Sequence, residues 1–529
     1  MITITEEISR SVEDFKDKLR QYQDGKLDNL KAYSSIMGIY KEGPKPTYMV
    51  RSRIAGGVTT VRQLKGISAI AQKYGIKIRF TTRQDIQFHS VSIADLGNVL
   101  DDLLHCGLTT RGAGGDGVRN VACSPLSGVA RDEAFDVTPY MEKVTNHMMQ
   151  AADSLKLPRK YKIAFSNNAE DTANATVTDI GFIAKIVNGQ RGFAVYGGGG
   201  LGGNARLALK LEDFIADTDA LYYVQAMKQV FAREGDRSNR HKARLRYVVQ
   251  RLGEEEFSKV LRKELDQLRN SGQELKLSIQ PSKSDLAHTQ GKSSFPWEEK
   301  YQNIVVPQKQ AGFYSVYIHP RQAAIDPGEL DRLLNFLSGL DNEPTIRLTL
   351  TQGFFVRDLR EEAVEALLAL VAGFSSLYNI GNSVACVGPT ICNFGINDSQ
   401  ELLRDILAAF TPAAEAVKEA LPRVLVSGCP NSCGQHQKGL IGFTGRRSRG
   451  PNGVIPTYAV SFNGKVGPGS ARFGDVYGEI AAEKIAGFLI DLAALKIKSG
   501  HTDFEQFIET QEQEVKELVL NYSVNRAAN

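Results

Sequence analysis

The stretch Ile78–Phe88, "IRFTTRQDIQF", returns as Ile346–Val356, "IRLTLTQGFFV", an offset of 268 residues. Four more segments recur in the same order. "NVACSPLSG" from Asn120 matches "SVACVGPTI" from Ser383, and Leu157-Pro158-Arg159 matches Leu421-Pro422-Arg423. "DIGFIAK" from Asp179 matches "LIGFTGR" from Leu440, and "FAVYGGGGLGG" from Phe193 matches "YAVSFNGKVGPG" from Tyr458. Ordered recurrence at a nearly constant offset marks an internal repeat. The chain reads as two copies of one unit of roughly 230 residues, related by a pseudo-twofold. Each copy runs from a strand-rich piece to an Ala-Cys loop, one or two amphipathic helices, a strand after Leu-Pro-Arg and a Gly-rich hairpin. That alternation predicts an α+β (mixed α/β) class.

Length and composition set the outer limits. The chain has 529 residues, which predicts two to four domains. A hydrophobic content of 42% and a charged content of 23% are those of a globular protein with a large core. A net charge of +4 is too weak to call for nucleic acid. The N-terminal "MITITEEISRSVEDFKDKLRQ" has no apolar signal region, and "IAAEKIAGFLIDLAALKIK" is broken by charges at helical spacing. A cytoplasmic protein that does not cross a membrane is expected.

Four of the six cysteines fall in two pairs. Cys386 and Cys392 lie in "SVACVGPTICNFG", and Cys429 and Cys433 in "SGCPNSCG". Without a secretory signal, clustered cysteines point to metal rather than to disulfides. Four thiolates from two Gly/Pro-rich loops are what a cubane cluster needs, one sulfur for each iron. Structural zinc usually takes tighter C-x2-C knuckles. Cys106, at the end of the helical pattern "LDDLLH", suits an ordinary buried thiol, and Cys123 is unpaired by spacing.

The first copy is rich in cations near the repeated motifs. Arg83 lies in "TTRQDIQF", Arg119 in "GVRNVACSP", and Lys160 and Lys162 in "LPRKYKIAF". Strand alternation would place both lysines on one face, where two like charges repel unless an anion lies between them. Arginine adds a planar fork for oxyanions, and lysine a charge that can give up a proton. On the Leu-Pro-Arg alignment, Lys160 and Lys162 match Val424 and Val426, and Cys386 matches Cys123. The expectation is that one copy carries thiols where the other carries cations. A second basic run, Arg233–Leu252, holds Arg237, Arg240, Lys242, Arg244 and Arg246. It suits a nucleic-acid arm, a solvated helix face or a carboxylate-binding stretch. "YGGGGLGGN" matches no nucleotide fingerprint and suits a hairpin lying flat against a planar ligand.

Taken together, the C-x5-C and C-x3-C pairs, "RFTTRQDIQFH", "RNVACSP", "LPRKYKIAF" and "MVRSRIAGGVTTVRQL" resemble the sirohaem- and 4Fe-4S-containing sulfite and nitrite reductases, over about residues 48–469. The resemblance implies the pseudo-twofold fold of that family, with paired ferredoxin-like half-domains. It divides the chain into an N-terminal helical arm (1–45) and a first ferredoxin-like half-repeat (46–112). A first sirohaem and anion-binding domain (113–305) follows, then a second half-repeat (306–377), a 4Fe-4S/sirohaem-binding domain (378–500) and a C-terminal helix (501–529). It implies that Cys386, Cys392, Cys429 and Cys433 ligate the cluster and that Cys433 also meets the sirohaem iron. Arg83, Arg119, Lys160 and Lys162 would surround the anion, and Arg240, Lys242, Arg244 and Asn431 would contact sirohaem. The Lys-x-Lys pair, where nitrite reductases of the family usually carry Asn at the second lysine, resembles the sulfite type. The implied function is therefore an assimilatory-type sulfite reductase, reducing sulfite to sulfide with six electrons. Ferredoxin-dependent nitrite reductase is the alternative, and a non-catalytic iron–sulfur or zinc protein a distant one. No flavin or NADPH module is apparent, so a separate ferredoxin or flavoprotein is the expected electron donor. The terminal helical segments could dock it or wrap the core.

Overall fold

The computed structural model describes residues 1–43, 45–279, 301–450 and 453–524. The repeated stretch folds the same way twice. Lys77–Phe80 pairs antiparallel with Ile86–Val91, placing Ile78 opposite Phe88. Thr345–Leu348 pairs with Phe354–Arg360, placing Ile346 opposite Val356. Alternation sends Ile78, Phe80, Ile86 and Phe88 from one copy, and Ile346, Leu348, Phe354 and Val356 from the other, into a single shared core. Phe80 and Phe354 meet there with ring centroids 5.2 Å apart.

Among the described residues, four five-stranded sheets form two matched pairs. In the first pair, the strands run Ile39–Lys41, Tyr48–Ser52, Ile86–Val91, Lys77–Phe80, Ala324–Ile325, and Val305–Pro307, Phe313–Ile318, Phe354–Arg360, Thr345–Leu348, Val58–Thr59. The last strand of each comes from the other copy. Ala324 pairs with Arg79, and Val58 with Arg347, so the halves exchange edge strands reciprocally. Exchange also covers an edge that would otherwise present unpaired backbone groups. Twin helices Val61–Tyr74 and Pro327–Ser338 pack together across the dyad, where Ser68 Oγ donates to the Pro327 carbonyl at 3.0 Å.

The second pair of sheets runs Ala122–Cys123, Ile163–Ser166, Ile180–Val187, Gln190–Gly197, Leu209–Ala216, and Val384–Ala385, Val424–Ser427, Ile441–Gly450, Gly453–Phe462, Asp475–Ala481. Each packs under its own helices in its own core. The C-terminal stretch, expected as one helix, forms two, Phe504–Thr510 and Glu512–Tyr522; residues 525–529 lie outside the described part.

A hairpin turn in each copy ties the two kinds of sheet together. Gln84 (φ 58°) and Gln352 (φ 64°) both adopt left-handed backbone. Gln84 accepts from the Cys123 N–H at 3.0 Å and donates to the Cys123 and Leu348 carbonyls, both at 2.8 Å. Gln352 accepts from the Ala385 N–H at 3.1 Å and donates to the Ala385 carbonyl at 2.9 Å.

These pairings correct the register read from sequence. Gln84 and Gln352 equate Cys123 with Ala385, not with Cys386. The N–H of Ser124 reaches the Phe165 carbonyl at 3.0 Å as that of Cys386 reaches Val426 at 3.1 Å, so the twin of Cys386 is Ser124. Ile163 pairs with Ile180 as Val424 pairs with Ile441. Three more residues, Lys160, Tyr161 and Lys162, therefore separate Leu-Pro-Arg from the strand in the first copy than in the second, so the lysines do not match Val424 and Val426. The matched left-handed residues Asp171 and Ser432, and Asn174 and Gln435, carry this register onward. Cys429 and Cys433 then have Asn168 and Thr172 as twins. Polar residues, not cations, stand where the second copy carries thiols, and Thr172 Oγ1 donates to Ser124 Oγ at 2.8 Å. The identical Ala-Cys pair had drawn the alignment one residue out.

Gly57 sits at the exchange (φ 72°), where an added Cβ would come within 2.4 Å of the Leu348 carbonyl oxygen. Gly57→Ala is expected to lower the free energy of unfolding by about 3 kcal/mol, through strained φ and a backbone clash. Denaturant unfolding checks this, and a loss below about 1 kcal/mol would show that the exchange tolerates the side chain.

Candidate functional site

Strand ends position the four cysteines of the second copy. Cys386 follows Val384–Ala385, and Cys429 follows Val424–Ser427. Backbone donors point at their sulfurs: the Gly428 N–H lies 3.2 Å from Cys386 Sγ and the Phe394 N–H 3.4 Å from Cys392 Sγ. Ser399, at the start of the helix Ser399–Phe410, holds Cys386 at both ends. Its hydroxyl lies 3.0 Å from the sulfur and donates to the carbonyl at 2.8 Å. The two cysteine loops lock together through Asn397, whose N–H reaches the Gly428 carbonyl at 2.9 Å. Gly428 is required there, because a Cβ would fall 2.3 Å from the Asn397 carbonyl oxygen.

The thiols oppose one another's ionisation. Burial pushes the Cys429 thiol up, Cys386 and Cys392 add to this, and hydrogen bonds from Asn431 work against it. Cys433, though open to solvent at its surface, is desolvated by its position between the halves, and this, then Cys386, Cys429 and Cys392, pushes its thiol up, with Lys160 acting the other way. Four such thiolates persist together only around a centre that brings several positive charges. With N–H groups already aimed at the sulfurs, the donor set fits a 4Fe-4S cluster. Cys433 is the exposed member of the set; Cys429 is buried and the other two half-buried.

The cations of the first copy converge on the same place. Tyr161 is fully buried and donates to the Val224 carbonyl at 3.0 Å, which turns Lys160 and Lys162 to the other side of the segment. The Lys162 N–H and the buried Arg244 guanidinium both bond to Asp179, at 2.9 and 3.1 Å. Arg83 lies on the hairpin turn, its carbonyl held by Asn120 at 3.0 Å. Arg119 is buried and donates to the Gly115 carbonyl at 2.6 Å and also to that of Gly114. Burial lowers the Lys160 pKa to about 7, helped by Arg244 and Arg119 and opposed by Cys433. Burial, then Arg83, Arg244 and Lys160, hold Lys162 well below the usual lysine value. Arg83 and Arg119 fall to about 10, mainly through burial, and so stay charged near neutral pH. Among the described residues, neither lysine ammonium group has an ion-pair partner. A half-buried, unneutralised cation group of this kind fits an anion.

The structure thus brings Arg83, Arg119, Lys160, Lys162, Arg244 and Cys433 into one field, across the dyad. Asn431 is exposed beside Cys429, and its carbonyl oxygen lies 3.5 Å from where a Cβ on Gly202 would sit. Gly202 also exchanges two hydrogen bonds with Gln437, at 2.8 and 3.1 Å, docking the Gly-rich hairpin against the cysteine half. Thr82 Oγ1 donates to the Cys433 carbonyl at 2.9 Å. Arg240 and Lys242 stand outside this group. Arg240 is exposed and bound to Asp116 at 2.6 Å, a carboxylate shared with Arg159, and Lys242 is exposed. The basic run straightens into the helix Leu245–Leu252 only beyond them. Arg246 packs beside Arg244 against Gly200 and donates to the Gly203 carbonyl at 2.6 Å. Sequence reading also missed Asp179, which organises Lys162 and Arg244. Its signal was a carboxylate where the twin segment has Leu440. Arg53 was missed too; it is 1% exposed and holds the Val118 and Arg119 carbonyls at 3.0 and 2.9 Å.

Comparison with known proteins places this geometry. The Nitrite/Sulfite reductase ferredoxin-like half domain matches residues 40–106, and the Nitrite and sulphite reductase 4Fe-4S domain matches residues 114–268. A chloroplastic ferredoxin–nitrite reductase of Zea mays is 30% identical over 453 residues, covering 81% of this chain and 75% of that protein. A ferredoxin–nitrite reductase of Synechococcus elongatus is 29% identical, covering 82% of this chain and 83% of the relative. The assimilatory ferredoxin-dependent nitrite reductase of Haloferax mediterranei is 26% identical, covering 90% and 84%. The NirA protein of Mycobacterium tuberculosis shares the fold, with a TM-score of 0.77 at 22% identity over 96% of this chain and 97% of its own. Among the described residues, no helix is long and apolar enough to cross a membrane. These relatives, from cyanobacteria, plants and archaea, overturn the expectation of sulfite as the main substrate. The Lys-x-Lys pair on which that expectation rested does not outweigh them. The ferredoxin-like halves, the four-thiol loops and the facing cations have one account: this chain belongs to the nitrite and sulphite reductase family, oxidoreductases built on a 4Fe-4S cluster and sirohaem.

Proposed function

We propose that the chain is a ferredoxin-dependent nitrite reductase, which reduces nitrite to ammonium with six electrons and eight protons and releases two waters. The observation that carries this reading is the unneutralised cation group of the first copy in the electrostatic field of Cys433 in the second. In this proposal Cys386, Cys392, Cys429 and Cys433 hold the cluster. Cys433, exposed and in the field of Lys160, would also help hold sirohaem. Arg244, Arg246 and Asn431 contact the macrocycle, and Arg240 and Lys242 do not. When bound, the two groups supply electrons one at a time and keep partly reduced nitrogen from leaving. The domain division drawn from the sequence is kept as part of this proposal.

The chain's own residues do the rest. Arg83 and Arg119 remain cationic and fix the anion. Lys160, lowered to about 7, can near neutral pH release a proton to an oxygen leaving nitrogen and be reprotonated, and Lys162 beside it is lowered by burial and the neighbouring cations. Asp179 is not a donor to substrate; it aligns the Lys162 backbone and Arg244. A mildly basic chain suits an acidic ferredoxin as partner.

Steady-state reduction of nitrite and sulfite by the holoprotein, with reduced ferredoxin and with an artificial one-electron donor, tests the assignment. One ammonium per nitrite is expected, with a higher kcat/KM for nitrite than for sulfite; a preference for sulfite, or no ammonium, refutes it. Cys433→Ser should abolish turnover, and full six-electron activity in that variant would refute the shared-ligand role. The sign of the pH effect follows from Lys160. Its ammonium form predominates below about pH 7 and is lost above it. Binding an anion favours the charged form, so the KM for nitrite should rise as pH climbs through that value. Lys160→Met should flatten the profile, and an equal slope in both proteins would exclude Lys160 from anion binding.

A further inference from the structure

Arg79 precedes the anion-binding turn by only four residues, yet its side chain leaves that pocket. It is half-buried, and among the described residues it makes no ion pair. It donates to the Gln322 carbonyl at 2.7 Å, across the exchanged strand in which Ala324 pairs with Arg79 itself. The Gln322 side chain continues outward, donating to the Gln400 carbonyl at 2.9 Å. Gln400 in turn donates through its amide to the Cys386 carbonyl at 2.7 Å and to that of Ala385 at 3.2 Å. An unbroken run of hydrogen bonds therefore leads from a cation in the first half to a thiol-bearing residue in the second. The same cation feels that thiol directly, for the field of Cys386 is what works against burial at Arg79.

The pseudo-twofold provides an internal control. The twin of Arg79 is Arg347, which pairs with Val58 in the reciprocal exchange and lies in the field of Cys123. The arginine is thus present on both sides, but the relay is not. The twin of Gln322 is Gly56, which has the same left-handed backbone, φ 55° in both. Asp136 accepts from the Thr138 N–H at 2.9 Å as Asp398 accepts from the Gln400 N–H at 3.0 Å, so the twin of Gln400 is Thr138. Glutamine side chains occur only on the side that carries the four thiols, and Gln322 keeps a backbone conformation costly for a residue with a Cβ. Geometry alone does not require them, because the glycine version builds the same strand exchange.

We infer that Arg79 acts from the first half on the thiol site of the second: it positions Cys386 through Gln322 and Gln400, and its charge eases reduction of the cluster held there. The inference rests on Cys386 being a cluster ligand. A cluster bound by four thiolates carries net negative charge and gains one more on reduction. A fixed cation beside one ligand, poorly screened by water, favours that added electron. Arg79 is a positioning residue, since it touches neither the substrate nor the reacting atoms.

The test is an EPR-monitored redox titration of the holoprotein, with iron and sulfide content measured in parallel, on wild type, Arg79→Lys, Arg79→Gln and Gln322→Gly. Arg79→Gln should lower the ratio of reduced to oxidised cluster about tenfold at fixed potential, equivalent to a negative shift of about 59 mV for one electron. Arg79→Lys should restore most of that ratio. Gln322→Gly, which copies the twin position, should leave the backbone intact and speed loss of iron to a chelator several-fold. An unchanged midpoint in fully loaded Arg79→Gln overturns the charge role. Unchanged iron release in Gln322→Gly overturns the positioning role, and remains measurable if Arg79→Gln does not accumulate. A wild-type protein lacking four irons and four sulfides would refute the ligand assignment instead, before any variant is compared.

Discussion

The reciprocal strand exchange is the contact on which the other parts depend. Val58–Thr59 completes the sheet of the second copy, and Ala324–Ile325 that of the first. Neither ferredoxin-like sheet is whole without the other, and their apolar faces share one core. From this joint each hairpin turn sends a glutamine onto the neighbouring short strand, Gln84 to Cys123 and Gln352 to Ala385. Those strands carry the next residues in line, Ser124 and Cys386. The position of Cys386, the proposed cluster ligand, is thus set by backbone pairing in another domain. Such coupling suits a site whose two sides must meet at the scale of a bond, because it leaves no flexible linker to absorb error.

The electrostatics of the site have the same two-sided origin. Four thiols in one half cannot ionise together without added positive charge, and in the other half Asp179 pairs with Arg244 but the ammonium groups of Lys160 and Lys162 have no ion-pair partner among the described residues. Either half alone would be in electrostatic deficit. Facing each other, they leave room for a metal cluster on one side and an anion on the other. The desolvation that makes Lys160 and Lys162 poor places for a permanent charge also makes them ready to release a proton.

Much of this was legible in the sequence, and the failures have physical causes. The duplication, the mixed α and β class and the two thiol pairs were visible because identities and spacing survive divergence. The register between copies was not. An identical Ala-Cys pair and a shared Leu-Pro-Arg outweighed the insertion of Lys160–Lys162, and only backbone pairing showed that Ser124, Asn168 and Thr172 are the twins of three cysteines. Asp179 was passed over because its segment was read for likeness, when its information lay in the difference from Leu440. Arg240 and Lys242 lie on an exposed loop while Arg244 is buried, a difference invisible in the sequence because charge along a chain does not tell which way a loop faces. The substrate was misread from one lysine, a position too local to outweigh similarity spread over most of the chain.

The polar twin of the thiol site has a consequence for how the protein is assembled. Thr172 and Ser124 bond to each other, the Asn167 N–H donates to Ser124 at 3.2 Å, and the Asn167 amide holds the buried Glu133 that pairs with Lys309. The position where symmetry would place a second set of thiols is closed by hydrogen bonds, and the thiol beside it, Cys123, is buried. A folding chain therefore offers the cell's cluster-delivery machinery a single address, although its backbone was built twice.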